Sequence, residues 1–263
     1  DSDWSSDVCS SDLDKDKLRQ IFTELGFTKF INQLEDAGSD QAGSEKILTS
    51  SNAPVAYQLV DTPEKFDEFL TELKKQKIFA IDTETTSVHP MKADLVGMSF
   101  SWQTHTGYYL PVKAPLGARS LELARTQTSI GPILADPAVK KIGQNTKYDY
   151  IILHNAGMPL DGVYYDTMIA SYLLAAGRRS HSMDAMARDF LGHDTIKLET
   201  LIGKGKNQLT FDMVDTETAY KYAAEDADIT WQLYKYLDAK LSKDAKLKEL
   251  FEQVEMPLVS VLA

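Results

Sequence analysis

The sequence predicts an α/β fold in which a mixed sheet with an antiparallel meander is flanked by helices. Runs of β-branched and aromatic residues predict three strands close together in the chain, near residues 78–83, 94–102 and 106–112. Their short connections favour antiparallel neighbours, whereas a fourth strand predicted near residues 139–142 alternates with helices. With 263 residues, of which 43% are hydrophobic, the chain can bury a substantial core.

Helices are predicted where apolar residues recur every three or four positions. The predicted spans are 119–134, 145–156, 166–176, 183–191, 215–240 and 243–261. A further amphipathic helix is predicted over residues 14–35, and a connector rich in Gly, Ser and Ala follows it from Asp36 to Ala53.

The first predicted strand of the meander ends in two acidic residues that point the same way. Because side chains alternate along a strand, Asp82 and Glu84 share one face while Phe79 and Ile81 take the other. This is the carboxyl end of the strand, where open α/β sheets usually place ligands. An Asp-x-Glu pair alone is more often a solvated strand end, so this pair needs support from elsewhere in the chain.

Two predicted helices carry an acidic residue on their apolar stripe. In the shorter helix, Asp149 recurs with Asn145 and Ile152 at helical spacing. In the longer helix, Asp226 interrupts the stripe one turn after Tyr222. An Asp in such a position is more often a boundary residue or a local cap, and a Tyr one turn earlier is usually part of the core.

Carboxylates in inward-facing positions need a counter-charge, because burying an ionised carboxylate without a partner is very costly. The residues concerned are Asp82, Glu84, Asp149 and Asp226. Carboxylate oxygens suit hard metal ions, and no set of Cys or His residues competes. The sequence therefore predicts a site for Mg²⁺ or Mn²⁺.

The order of these residues resembles that of a known superfamily, the DEDD 3′–5′ exonucleases, in its tyrosine-bearing branch. The shared pattern is Asp-x-Glu, then Asn-x-x-x-Asp, then Tyr-x-x-x-Asp. From about Val55 onwards, the sequence around these motifs resembles the 3′–5′ proofreading exonuclease domain of bacterial DNA polymerase I, a family A DNA polymerase. The matching segments are Phe79 to Thr85, Gly143 to Asp149, Gly203 to Phe211 and Tyr222 to Asp228.

The resemblance implies a ribonuclease-H-like fold that hydrolyses DNA from the 3′ end and releases nucleoside monophosphates with the help of two divalent cations. It implies that Asp82, Glu84, Asp149 and Asp226 are catalytic metal-binding carboxylates, and that Tyr222 is the catalytic residue that orients the attacking water. Some family members carry a decayed site and act only as spacers. This chain keeps every one of these residues, so we expect it to be active.

The resemblance also implies contacts with the last nucleotides of a single-stranded or frayed 3′ end of DNA. The matching residues are Thr85, Val88, Gln144, Asn145, Tyr148, Met168 and Leu198. The family often has Leu at the position of Val88 and Phe at that of Leu198. The smaller side chains reduce the surface for base stacking, which is worth roughly 1–3 kcal/mol per base.

Two alternatives remain open. An exoribonuclease of the ribonuclease D type would share the carboxylates and the tyrosine, although the segment from Gly203 to Asn207 and the polymerase-like text after residue 243 argue against it. A non-catalytic single-strand-binding or spacer domain is disfavoured by the intact carboxylates.

The net charge of −11 is unusual for a protein that binds a polyanion. DNA affinity must then come from local clusters such as Lys140, Lys141 and Lys147, or Lys204 and Lys206, and from metal.

We expect four parts in the chain. Residues 1–13 resemble the conceptual translation of a sequencing-adapter oligonucleotide, an artefact, and residues 14–53 resemble a helical remnant and linker of a 5′-nuclease region. Residues 54–242 form the exonuclease domain, and residues 243–263 start a truncated polymerase domain that contacts it in the parent chain. The single cysteine lies in the first part, and neither a signal peptide nor a bilayer-spanning run is apparent, so we expect a cytoplasmic protein without a membrane partner.

Overall fold

The structure is a computed structural model that describes residue 17 and residues 54–263. Six strands form one mixed sheet in the order β1-β4-β3-β2-β5-β6. The strands are β1 (Ala56–Leu59), β2 (Ile78–Thr85), β3 (Leu95–Ser101), β4 (Thr106–Pro111), β5 (Lys140–Gly143) and β6 (Val163–Asp166). β2, β3 and β4 form an antiparallel meander, while β1 adds parallel to β4, β5 parallel to β2, and β6 parallel to β5. The predicted mixed sheet is confirmed.

Helices flank the sheet and connect its outer strands. They are α1 (Pro63–Leu73), α2 (Leu123–Leu134), α3 (Thr146–Asn155), α4 (Thr167–Leu174), α5 (Met183–Met186), α6 (Leu198–Ile202), α7 (Thr216–Leu241), α8 (Ala245–Leu250) and α9 (Met256–Leu262). π-helical turns at Ala187–Leu191 and Phe251–Glu255 extend α5 and join α8 to α9. Every helix predicted between residues 119 and 261 has a counterpart, and the largest shift is at α2, which begins at Leu123.

Four elements are not predicted from the sequence: β1, α1, β6 and the 5-residue helix α6. The two strands have 4 residues each and form the two edges of the sheet, where short length and half-exposed side chains leave a weak pattern. α1 has a clearer signal, because Thr62 caps its first turn and Pro63 occupies a position that favours helix starts.

The inner strand β2 separates two apolar layers. Phe79 and Ile81 pack into a core with helices α1, α2 and α3. Ala80 packs on the opposite face, in a core that contains residues of α4 and α7. The predicted alternation along β2 is therefore correct, and Asp82 and Glu84 continue the face that Ala80 begins.

The long helix α7 crosses this second face and is buried on every side from Ala223 to Trp231. The approach to the sheet is close at β4. A Cβ atom added at Gly107 would lie 2.3 Å from the Ala224 carbonyl oxygen, so only glycine fits between β4 and α7 at this position.

The C-terminal helices belong to the same core as the edge of the sheet. Phe251, Met256 and Val259 are buried, and the Phe251 ring lies 4.7 Å from that of Tyr165 on β6. The division of the chain into four parts stays a prediction, and residues 1–53 apart from residue 17 lie outside the described residues. In the part of the chain that is described, no helix combines the length and hydropathy needed to cross a membrane.

Candidate active site

Three carboxylates meet where α7 crosses the end of β2. Each of Asp82, Glu84 and Asp226 has a carboxylate oxygen within 4.8 Å of the others. Glu84 and Asp226 are buried, and Asp82 is half-buried. Strand alternation places the first two on one face, and the close packing of α7 on the sheet brings the third to them.

Asp149 stands beside this cluster and is held differently. It is buried on α3 and accepts a hydrogen bond of 2.6 Å from the Thr83 hydroxyl, which belongs to the opposite face of β2. Its charge still contributes to raising the pKa of Glu84. The sequence reasoning missed Thr83, although its position between Asp82 and Glu84 could have drawn attention to it.

Burial raises the pKa values of all four carboxyl groups, and repulsion between like charges adds to the rise at Glu84, Asp149 and Asp226. Burial raises the pKa of Asp82 from 3.8 to about 7. Burial, followed by the charges of Asp82, Asp226 and Asp149, raises the pKa of Glu84 well above its usual range. The pKa values of Asp149 and Asp226 are raised by burial first and by Asp82 second. Among the lysines and arginines whose side chains are described, none forms an ion pair with any of them.

The donor set fits a hard cation. Glu84 Oε1 is buried and makes no hydrogen bond to any described residue. An unpaired buried oxygen next to two further carboxylates is costly unless a positive charge is bound there. Oxygen-only ligands favour Mg²⁺ or Mn²⁺ over softer metals.

Tyr222 lies next to this cluster, one helical turn before Asp226. Its ring packs against Phe211, with 5.9 Å between ring centroids. Burial, and then the charges of Asp226, Glu84 and Asp82, raise the pKa of Tyr222 far above its usual value. The hydroxyl therefore stays protonated at neutral pH and can act as a hydrogen-bond donor.

A groove of about 510 Å³ opens beside the carboxylates. Its walls include Glu84 and five of the seven predicted substrate contacts, which are Thr85, Val88, Asn145, Tyr148 and Leu198. Val88 is 81% exposed and Leu198 is 36% exposed, so both present open apolar surface. The segment Gln208–Phe211 forms another wall that the sequence reasoning did not assign. A larger groove of about 830 Å³ beside β1 and α1 shares none of these residues.

Several predicted contacts have structural partners of their own. The Tyr148 hydroxyl donates to the Ser87 carbonyl at 2.5 Å and also bonds to Thr85, which fixes the loop after β2. The Gln144 side chain donates to the His181 carbonyl at 3.1 Å and accepts from Thr167, so both ends of its amide are engaged.

Asn145 and Met168 differ from the rest of the predicted contacts. Asn145 is exposed and adopts a left-handed conformation with φ 59°, just before α3 begins. Asn145 therefore precedes the buried stripe of α3 on which Asp149 lies, in a left-handed conformation that Asn tolerates. Met168 lines a separate cavity of about 220 Å³, to which Asn145 also contributes.

The lysine clusters differ from the prediction. Lys141 is fully buried and donates to the Asp136 carbonyl at 2.6 Å, so its assignment to a DNA-binding cluster was wrong. Burial lowers its pKa to about 8. Lys140 lies 3.8 Å over the Tyr164 ring, and Lys204 pairs with Glu199. Lys147 lines the 220 Å³ cavity.

Comparisons with known proteins agree with this architecture. The sequence profile of a family described as 3′-5′ exonuclease matches residues 57–242. DNA polymerase I of Pseudomonas aeruginosa is 38% identical over 253 residues, and DNA polymerase I of Borreliella burgdorferi is 37% identical over 259 residues. These matches cover 95% and 98% of this chain but only 28% and 26% of those proteins.

Solved structures share the fold at low sequence identity. The polymerase domain of Pol1 from M. smegmatis, in complex with DNA primer-template and dNTP, has a TM-score of 0.59 at 20% identity and covers 78% of this chain and 31% of that one. Brucella melitensis NrnC has a TM-score of 0.58 at 19% identity, and the match covers 79% of this chain and 91% of that one. RNase D of Trypanosoma brucei in complex with RNA U12 has a TM-score of 0.57 at 19% identity and covers 70% and 62%.

The fold is ribonuclease-H-like, with acidic residues gathered at the end of an inner strand, and the matching family model places the chain in a class of nucleases. The chain belongs to the 3′–5′ exonuclease family, in the form that occurs in DNA polymerase I.

Proposed function

We propose that this chain hydrolyses the 3′-terminal phosphodiester bond of single-stranded or frayed DNA, and that it does so with two divalent cations, Mg²⁺ or Mn²⁺. The observation that carries the proposal is the unpaired Glu84 oxygen, buried among further carboxylates at the wall of a groove in a chain of this family. The products would be nucleoside monophosphates, as expected of a proofreading exonuclease.

The carboxylates would hold the cations and so would be the catalytic centre. Asp82, Glu84 and Asp226 already converge, and Asp149 would join them from its position against Thr83. When bound, a pair of divalent cations supplies an activated water and stabilises the leaving oxygen. The carboxylates in turn would remain ionised in the presence of positive charge, despite their burial.

Tyr222 would orient the attacking water. Its raised pKa excludes a role as a base at neutral pH, because the phenol keeps its proton. A protonated hydroxyl can still donate one hydrogen bond and accept another. Packing against Phe211 fixes the ring, so the direction of that hydrogen bond is set before the substrate arrives.

DNA is favoured over RNA as the substrate by sequence similarity. The relatives at 37% and 38% identity are DNA polymerases, whereas the RNase D structure is 19% identical and shares only the fold. The parent protein would then be a DNA polymerase I, in which residues 243–263 lead towards a polymerase domain. Proofreading within that protein follows from the same proposal.

The test is degradation of 3′-frayed DNA and matched RNA oligonucleotides, run in parallel with Mg²⁺ or Mn²⁺. The wild-type chain should shorten the DNA from its 3′ end, and Asp82→Ala should not. Persistent cleavage in excess chelator would refute the metal dependence. A preference for the RNA strand would support the exoribonuclease alternative instead.

A further inference from the structure

Helix α4 presents an aromatic ring that the proposed chemistry does not use. Tyr172 is 54% exposed, and one face of its ring stacks on His181 with 3.8 Å between centroids and 24° between planes. His181 is buried, and its Nδ1 lies 2.8 Å from the Ser171 hydroxyl. Its carbonyl accepts the hydrogen bond from Gln144. The exposed ring is therefore fixed in place from behind.

This ring lines a cavity that continues the substrate groove. Tyr172, Met168 and Lys147 line the cavity of about 220 Å³ together with Leu258 and Leu262 of α9. Asn145 borders both this cavity and the groove that contains Glu84. A strand whose 3′ end lies in the groove can therefore pass Asn145 and enter the cavity.

We propose that the cavity is a subsite for an upstream nucleotide of the same strand, with the base stacked on Tyr172. A fixed, exposed aromatic ring is the usual platform for a base in single-strand binding, and it accepts any sequence because every base has a π-face. The subsite rests on the proposed function, since it takes the strand whose end is cleaved.

The charges at the cavity are consistent with this orientation. Lys147 is half-buried and forms no ion pair with any residue of the described part of the chain, so it can contact a backbone phosphate. Two carboxylates also line the cavity: Asp166, which accepts from the Thr146 and Met168 N–H groups, and Glu255, which would repel a phosphate but suits the amino groups of a base. The backbone would therefore lie beside Lys147 of α3, with the base on the Tyr172 ring of α4.

Tyr172→Ala tests the platform, and Tyr172→Phe is the matched control that keeps the ring. For an octadeoxynucleotide, we expect Tyr172→Ala to lower kcat/KM on the order of tenfold through KM, and Tyr172→Phe to match the wild-type chain. For a deoxydinucleotide, both of whose nucleotides are needed at the cleavage site in the groove, all three proteins should have the same kcat/KM. A general structural defect would instead lower kcat/KM for both substrates. That result, or an unchanged kcat/KM for the octadeoxynucleotide, would overturn the subsite.

A second measurement reports stacking directly. A fluorescent adenine analogue placed upstream of the 3′ end should be quenched on binding to the wild-type chain and to Tyr172→Phe, and not on binding to Tyr172→Ala. Equal quenching in all three proteins would overturn the assignment of the ring.

The two proposals fail in different ways. If the wild-type chain cleaves DNA and Tyr172→Ala cleaves each substrate as well as the wild-type chain does, only the proposed subsite is refuted. If the wild-type chain neither cleaves nor binds a DNA strand, the proposed function and the subsite are lost together.

Discussion

Two kinds of buried carboxylate lie within one turn of α7, and they are held in opposite ways. Asp228 accepts hydrogen bonds from the Tyr57 hydroxyl at 3.0 Å, the His105 N–H at 2.8 Å and the Gln232 amide at 3.0 Å. Asp226 lies among the carboxylates of the cluster and is hydrogen-bonded by Tyr222. Burial raises the pKa of both residues, but the charge of Asp82 raises that of Asp226 further, whereas hydrogen bonds oppose the rise at Asp228.

Buried acidic residues in α7 differ in whether hydrogen-bond donors satisfy their carboxylate oxygens. Donors satisfy Asp228, which thereby joins β1 and the turn before β4 to the central helix. Glu225 belongs to the same kind, because it accepts from the Ile196 N–H at 2.6 Å and contacts His193 at 2.9 Å. Asp226 is hydrogen-bonded by Tyr222 in a neighbourhood of like charge, and the adjacent Glu84 Oε1 has no hydrogen-bond partner among the described residues. That unfilled acceptor, not burial itself, marks the place where a cation belongs.

The two kinds of buried carboxylate should differ most in how much cleavage activity depends on them. Asp226→Asn should lower 3′–5′ cleavage of DNA on the order of a thousandfold, because it removes a proposed metal ligand. Asp228→Asn is the matched control on the same helix and should keep most of the activity, since no proposed ligand changes. Initial rates of oligonucleotide shortening measure both. Equal losses in the two variants would mean that the distinction between them is wrong.

A smaller loss is expected at Tyr222. Tyr222→Phe keeps the ring against Phe211 and removes only the hydroxyl, so it should lower kcat on the order of a hundredfold with little change in KM. Single-turnover rates with a saturating oligonucleotide give this value. An unchanged kcat would show that water is oriented without the phenol.

The order of the two positions should reverse when folding stability is measured instead of activity. Asp228→Ala leaves the hydroxyl of Tyr57 and the N–H of His105 without an acceptor, and should reduce the unfolding free energy by about 3 kcal/mol. Asp226→Ala in chelator should cost less or even stabilise, since it removes a repelled carboxylate. Urea unfolding of both variants checks this order, and a larger loss for Asp226→Ala would contradict it.

The smallest effect that we expect is a dependence of folding stability on pH. The folded pKa of Asp82 is about 7 against an ordinary 3.8, so between these values the folded protein binds more protons than the unfolded chain. The stability from this group is full below about pH 4 and is lost as the pH rises through about 7. Glu84, Asp149 and Asp226 contribute with the same sign.

Thermal unfolding in chelator should therefore show a melting temperature that falls between about pH 4 and pH 8 more steeply for the wild-type chain than for Asp82→Asn. Added Mg²⁺ or Mn²⁺ should raise the melting temperature more at pH 8 than at pH 5, because cations compete with protons for the same oxygens. A metal effect independent of pH would contradict the assignment of these carboxylates.

The sequence predicted those parts of the site that depend on local periodicity. Alternation along β2 was enough to place Asp82 and Glu84 on one face, and helical spacing placed Asp149 and Asp226 on buried stripes. The order of the motifs then identified the family.

What the sequence did not predict depends on tertiary partners. The hydrogen bond from Thr83 to Asp149 joins residues 66 positions apart, and no local pattern specifies it. Lys140 and Lys141 are adjacent and chemically identical, yet only the second is buried, because the pleat of β5 turns it inward. Edge strands β1 and β6 are too short to carry a periodic signal.

Gly107 has a consequence for how this enzyme can be damaged or tuned. It has no side chain and contacts no proposed ligand, yet any larger residue would push against the backbone of α7 beside Ala224. That displacement would move Asp226 and Tyr222 away from Asp82 and Glu84 as a unit. Screens that rank substitutions by distance from the substrate would overlook this position, whereas random mutagenesis selected for lost 3′–5′ exonuclease activity should recover it repeatedly.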